Sequence, residues 1–350
     1  MDKLRIEEKP LWERLAECKK PVVLYGMGNG ADKVIAHMQK RDIPLAGVFA
    51  SDGFVRGQVF HGHEVTTYRQ AKDRFGDMVV LVAFGTHRPD VVQNIERVAA
   101  ECELYVPDAE VAGGNVFTRE FYDAHREDFE DTFALLCDER SRHVFFNLLR
   151  YKVSGKLSRL MESVCAGGLF SFERLELRGD EAYVDAGAYD GDTVREFSEA
   201  AGGWQSITAL EPDKKNYRKL LKSTEGLHDC TCMQAAAHSE DGTQGFAQSA
   251  GRQSRLRKDA QTPVRTCRID SIAPDATMVK LDVEGHEREA LQGMERVIKN
   301  GRPRLIVSAY HRNEDLFALS KLVKSIRADY RIYLRRFYSV PAWDIVYYFL

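Results

Sequence analysis

Tyr183-Val-Asp-Ala-Gly-Ala-Tyr-Asp-Gly-Asp-Thr193 reads as a strand running into a glycine-rich turn. Val184 ends an apolar stretch, Asp185 stands where the strand should stop, and Gly187 and Gly191 follow. The spacing is D-x-G-x-x-x-G, which differs from the G-x-G-x-x-G of a dinucleotide site. A pyrophosphate favours a bare helix N-terminus and closely spaced glycines. A carboxylate at the strand tip suits a ligand that carries positive charge and no phosphate, and the glycines let the backbone approach it closely. S-adenosylmethionine (SAM), with its sulfonium and ammonium, is such a ligand.

Two further strand ends bear on this turn. Glu211 follows the apolar run Ser206-Ile-Thr-Ala-Leu210 and precedes Pro212. An acid at the tip of the next strand, roughly 20 positions past the glycine turn, is placed to accept hydrogen bonds from two ribose hydroxyls. Glu-Pro-Asp is also an ordinary start for the helix expected around 213–222, but the glycine turn one βα unit upstream favours the ribose role. Met278-Val-Lys-Leu-Asp-Val-Glu-Gly-His-Glu287 then predicts a strand ending at Asp282 and one helix carrying Ala290, Leu291, Met294, Val297 and Ile298 on a single face. That helix should stop at Asn300-Gly301, before Pro303. The following strand, Arg304-Leu-Ile-Val-Ser-Ala309, delivers Tyr310 and His311. Several parallel strands thus end in polar residues on the edge where open α/β sheets bind ligands.

The run VDAGAYDGDT … LEPD … AAAHSEDG … RIDSI … VKLDVEGHEREALQGM … SAYH resembles the FkbM family of SAM-dependent methyltransferases in order and spacing, from Leu169 to Leu350. The resemblance implies a seven-stranded class I methyltransferase sheet that O-methylates sugars, polyketides or other secondary-metabolite hydroxyls. It implies that Asp185, Gly187, Ala188 and Gly191 line the methionine end of SAM. Glu211 would hold the ribose, Ala236 would lie near the adenine, and Asp282 would lie close to the transferred methyl. The closing strands of such a sheet fit Tyr330–Arg335 and Asp344–Leu350.

The N-terminal third reads as a second, smaller α/β unit. Pro21-Val-Val-Leu-Tyr25 is a short apolar strand, Gly26-Met-Gly-Asn-Gly-Ala31 a glycine turn, and Leu45–Phe49 and Met78–Phe84 further strands. G-x-G-x-x-A with an acid, Asp52, about 20 residues on also suits a dinucleotide. The segments GMGNG, FASDG and AFGTH, over residues 20–109, resemble the small Rossmann-like domain at the front of some sugar acyltransferases, where it helps hold a nucleotide-sugar. Three uses stay open for this unit: a nucleotide-sugar or other phosphorylated ligand, NAD(H), or a scaffold for dimerisation or docking. Residues 110–168 carry Phe133, Leu135, Leu136, Val144, Phe145, Leu148 and Leu149 at helical spacing and read as a helical connector. The expected division is therefore 1–109, 110–168 and 169–350.

Composition narrows the function classes. Among 350 residues, 50 basic and 53 acidic side chains give a net charge of −3, which argues against a nucleic-acid protein. No apolar run approaches the roughly 18 residues of a membrane span. The start of the chain is charged, and seven cysteines at scattered spacings form no disulfide framework. The expected setting is cytoplasmic and reducing.

Methyl transfer to a hydroxyl requires alignment of oxygen, methyl and sulfur, and removal of the hydroxyl proton. Asp282, Glu284, His286 and His311 gather at the strand tips by topology. Histidine has the unperturbed pKa nearest neutrality, so His311 is the expected base or acceptor ligand. The hard oxygens of Asp282, Glu284 and Glu287 could bind Mg²⁺, but Glu284 and Glu287 equally suit a helix N-terminus, and no metal is expected. Arg252, Arg255, Arg257 and Lys258 form a basic run beside Ser254, read as a solvated loop or as a grip on an anionic acceptor. The leading expectation is a SAM-dependent O-methyltransferase acting on a sugar, nucleotide-sugar or glycan precursor, with a homodimer compatible. The alternatives are an NAD-dependent sugar oxidoreductase using Gly26–Gly30, and a SAM-binding scaffold without turnover.

Overall fold

The computed structural model describes residues 4–113, 115–247, 255–256 and 262–350. Two parallel-rich sheets dominate it. The N-terminal sheet holds β1 (Val22–Tyr25), β2 (Leu45–Ala50), β3 (Val59–Phe60), β4 (His63–Thr67), β5 (Val79–Val82) and β6 (Glu103–Tyr105), in the order β3-β4-β2-β1-β5-β6. Every pairing is parallel except β3 with β4. All four residues of β1 and of β5 are buried, as expected for central parallel strands covered on both faces.

The C-terminal sheet has seven strands: β7 (Ala182–Ala186), β8 (Ser206–Leu210), β9 (Cys230–Met233), β14 (Met278–Leu281), β15 (Arg304–Ser308), β16 (Ile332–Arg336) and β17 (Ile345–Phe349). Their order is β16-β17-β15-β14-β7-β8-β9, with β17 antiparallel to both neighbours. This is the class I arrangement, closed by the hairpin expected from the C-terminal sequence. A small sheet of β10 (Ala236–Ala237), β11 (Gly242–Ala247), β12 (Arg255–Leu256) and β13 (Thr262–Cys267) accompanies it. The basic run lies largely outside the described residues: Arg252, Ser254, Arg257 and Lys258 are not among them, and Arg255 is described only as backbone in β12.

The connector is helical, with helices Arg119–Ala124, Arg126–Leu135, Glu139–Ser154 and Leu157–Glu162. Asp138 caps the third by accepting from Ser141 N at 2.7 Å and also pairs with Arg335 on β16 at 2.7 Å. One continuous hydrophobic core runs from Val23 and Val80 of the N-terminal sheet, through Phe129, Phe145 and Leu148 of the connector, to Leu305 and Phe349 of the C-terminal sheet.

One expectation is corrected. The single helix predicted after Asp282 is two, Glu287–Gln292 and Glu295–Gly301. The break falls at Gly293, where a Cβ would overlap the His238 carbonyl oxygen. Asp270 then starts the second helix, accepting from Val297 N at 2.9 Å and Arg296 N at 3.2 Å. The second helix also runs through Gly301, and the left-handed position is Arg302, with φ 49°.

Candidate active site at the carboxyl edge of the seven-stranded sheet

β8 lies on one side of β7, and β14 and β15 lie on the other, so chain connections diverge between β7 and β14. A crevice opens at the carboxyl ends of strands at such a switch point. Here it is a cavity of about 280 Å³, walled by Gly187, Tyr189, Glu211, Ala236, Asp282 and Tyr310 among others. Gly187, at φ 85°, lies so close to the Asp282 carbonyl oxygen that any Cβ would overlap it. The glycine therefore lets the two strand tips meet under the cavity.

The turn is held from below. Asp185 is fully buried and sits opposite Lys280 in the β7–β14 register. Lys280 Nζ donates to Asp185 Oδ1 and to the Gly187 carbonyl, each at 2.9 Å, and Thr193 Oγ1 donates to Asp185 Oδ2. Burial works against the Lys280 charge, but Asp185 and Asp282 outweigh it and hold the ammonium above the usual lysine range. Lys280 also reaches the cavity wall, whereas Asp185, Ala188 and Gly191 stand behind it.

Glu211 faces the cavity with 6% exposure. Its two oxygens accept one backbone N–H each, from Tyr189 at 3.0 Å and Asp213 at 2.8 Å. A carboxylate oxygen has room for two hydrogen bonds, so each oxygen can still take a hydroxyl. Burial pushes the carboxyl up to about 7 against those two amides. The helix Lys214–Ser223 is capped by Asp213, which accepts from Lys215 N at 2.8 Å and Asn216 N at 3.0 Å. The helix start thus belongs to Asp213, and Glu211 is left to the cavity. Beside it, Ala236 forms an apolar patch with Phe246 and Val264.

His311 is enclosed. It has no exposed surface and does not reach the cavity wall. Its Nδ1 lies 3.0 Å from Glu287 Oε1, and its Nε2 lies 3.5 Å from Asp282 Oδ1 and 3.6 Å from Glu284 Oε2. Burial opposes the imidazolium, but these three carboxylates prevail and raise its pKa to about 10. Asp315, nearby, is pushed up to about 8 by burial and by the Glu287 charge. Asp282 is held below the usual carboxylate range: burial pulls upward, and Lys280 and His311 more than compensate. Tyr310 Oη donates to Asp282 Oδ1 at 3.1 Å. Asp282, Glu287 and His311 also bring ligand-type atoms within 4.8 Å of one another. The proton on His311 supplies positive charge to that cluster.

A family model described as a methyltransferase FkbM domain matches residues 185–332. By this match, residues 185–332 resemble an FkbM methyltransferase domain. The match spans the glycine turn, the Glu211 tip and the Asp282–His311 cluster. The whole fold resembles the crystal structure of the methyltransferase FkbM from Methylobacillus flagellatus KT, at TM-score 0.71 and 20% identity, covering 100% of this chain and 96% of that one. Looser likenesses include an rRNA methylase from Streptococcus thermophilus (TM-score 0.33, 13% identity, 49% of this chain and 87% of that one). Another is a putative rRNA methylase from Clostridium thermocellum (TM-score 0.36, 10% identity, 51% and 91%). No curated protein sequence matches the chain.

Within residues 185–332, sequence reasoning reached Gly187, Glu211, Ala236, Asp282, Glu284 and His286 on the wall and placed Tyr310 at a strand tip without a role, but passed over Lys280. Lys280 carried a signal, because a lysine inside an otherwise apolar central strand needs a buried acid partner. The backbone of Glu284 carried none: its φ of 56° is a left-handed conformation unusual for glutamate and appears only in the fold. Among the described residues no helix is long and apolar enough to cross a membrane.

Proposed function

We propose that this protein transfers the methyl group of SAM to a hydroxyl of a small polar acceptor, a sugar or nucleotide-sugar. The observation that carries the reading is Glu211, a buried carboxylate at the β8 tip that lines the cavity and whose oxygens each accept one backbone N–H. The donor set fits SAM. Glu211 matches a ribose diol, the Ala236–Phe246 patch matches a flat adenine, and Asp192, Glu196 and Asp282 offer negative charge at the other end. When bound, SAM supplies an electrophilic methyl on a cationic sulfur.

Gly187 and Tyr189 shape the wall, and Asp185 acts through Lys280 and Thr193 to hold the turn. Asp282 and Tyr310 stand at the reacting end. With SAM held there, the acceptor oxygen would take the methyl as the C–S pair returned to sulfur, and Asp282 and Tyr310 would orient that hydroxyl. The hydroxyl proton becomes strongly acidic as the C–O bond forms, so the low-pKa carboxylate of Asp282 suffices to take it. We assign His311 to positioning, because a protonated ring has no lone pair to serve as base. Residues 1–109, 110–168 and 169–350 then act as front unit, connector and methyltransferase domain.

Calorimetric titration of SAM, with NADH as control, into the wild type and Glu211→Ala tests the reading. Micromolar SAM binding that weakens in the variant supports it. NADH binding without SAM binding overturns it.

A further inference from the structure

We propose that the acceptor binds in a second cavity, between the two large sheets, and that the N-terminal sheet is its specificity wall. The inference rests on the methyl-transfer reading above. The cavity is about 540 Å³ and borders the first, sharing Glu284, Tyr310 and Asp344 with it. This is within the size range of small-molecule sites, roughly 300–1,000 Å³.

Its far wall comes from the N-terminal sheet, at the tips of β1 and β5: Met27, Asn29 and Gly30 from one, Phe84 and Gly85 from the other. β1 lies between β2 and β5, so the chain diverges here as it does between β7 and β14. The ligand-binding edges of both sheets therefore open on one continuous space, which an independent scaffold would have no reason to arrange.

The two walls are joined closely. Thr86 and Val340 exchange backbone hydrogen bonds of 2.7 and 2.9 Å. Ala112 N, just after the front unit, donates to the His311 carbonyl at 2.9 Å, which ties the start of the connector to the positioning histidine. Gly85 packs against the Trp343 indole so closely that any Cβ would overlap the ring. The space is thus a built cleft across which an acceptor held by one wall meets the methyl end of the other.

Its chemistry suits a neutral ring rich in hydroxyls. Phe84, Trp343 and Tyr310 offer aromatic surface. The end nearest the first cavity carries the carboxylates of Glu284 and Asp344, which accept from hydroxyls and repel an anion. The nearby lysine is engaged: Lys33 Nζ donates to the carbonyls of Glu110 at 2.6 Å and Val111 at 3.3 Å. The ring of His87 lies 3.3 Å from Asp344. A hydroxylated ring at the reacting end is shared by a free sugar and a nucleotide-sugar.

The test uses the full chain with methyl-labelled SAM and three acceptor sets: free hexoses, the same hexoses as nucleotide diphosphates, and linear or aromatic alcohols. Met27→Trp and Ala109→Trp each fill the second cavity from the N-terminal side, so one decides if the other fails to fold. Transfer to a ring acceptor that falls about 100-fold or more, with SAM affinity kept within about 3-fold, supports the proposal. Preference between free and nucleotide-linked hexose then assigns the source. Undiminished transfer in a folded variant overturns the cavity as the acceptor site. A wild type that binds SAM but methylates only linear or aromatic alcohols, or nothing in the panel, overturns the ring assignment. A wild type that does not bind SAM removes the methyl-transfer reading instead, a separate failure.

Discussion

The two glycine turns, Gly26–Gly30 after β1 and Gly187–Gly191 after β7, share one local design and differ in what surrounds them. Each leads from a buried parallel strand into a helix. Beneath the second turn lies a buried ion pair, Asp185–Lys280, and beside it stands Glu211, 6% exposed on the cavity wall. Tyr25 ends the strand before the first turn, its hydroxyl 2.7 Å from Ser51 Oγ. The acid at the corresponding next strand tip, Asp52, is exposed and stands outside the cavity wall. A dinucleotide ribose would need that acid turned inward. A strand, a glycine turn and a downstream acid therefore do not define a nucleoside site. The position of the acid in the fold does.

The largest effect that tests this contrast is expected from Asp185→Ala. It leaves the Lys280 ammonium buried without its partner and should cost about 3–5 kcal/mol of stability, measured by urea unfolding. A loss under about 1 kcal/mol would mean that Lys280 escapes to water. The same logic makes Asp185 a poor probe of cofactor contact, because SAM binding and folding would fail together.

Stability should also report the His311 cluster. A folded pKa near 10, against about 6.5 unfolded, stabilises fully below pH 6.5 and loses that contribution as pH rises through 10. Asp315 and Glu211, both raised, act in the same direction at lower pH. Wild-type unfolding free energy should therefore fall between pH 6.5 and 10. His311→Gln should be less stable at pH 6.5 and fall less steeply over that window, keeping only the slope that Asp315 and Glu211 contribute. A parallel slope in the variant would remove the imidazolium from the account.

A smaller effect belongs to Glu211. Ribose hydroxyls need the ionised carboxylate as acceptor, so SAM affinity should rise as pH increases through about 7. Glu211→Gln should weaken binding about 10-fold or more, the scale of hydrogen bonds to a charged group, and abolish that pH dependence. An unchanged pH profile in calorimetry would detach Glu211 from the cofactor. At the other turn, Gly28→Ala should cost only about 1–3 kcal/mol of stability, from the φ of 105°, because a Cβ there meets no neighbour within 4 Å. A loss of SAM affinity in that variant would join the two turns more tightly than the geometry allows.

Much of the C-terminal fold was legible because it depends on local pattern. Apolar runs ending in Asp185, Glu211 and Asp282 mark strand tips, and a parallel sheet sends its tips to one edge. The parity of the last two residues after β15 was not legible. Successive residues on an extended chain face opposite sides, and it is Tyr310 that reaches the cavity while His311 turns into the carboxylate cluster. The helix after Asp282 hid its break for a similar reason: its apolar face is continuous in sequence, but Gly293 meets a carbonyl from His238, more than fifty positions away.

By itself, the sequence determined the strand–turn–helix units, the carboxyl edge that carries the polar residues, and the resemblance to the FkbM family. These follow from periodicity and short motifs, which act within a few residues. Only the tertiary structure decided that Asp185 lies under the turn with Lys280, that His311 is enclosed, and that Gly85 meets Trp343 so that two cavities adjoin. Those outcomes depend on strand register and on contacts between residues far apart in the chain, where burial, charge pairing and close packing set the geometry.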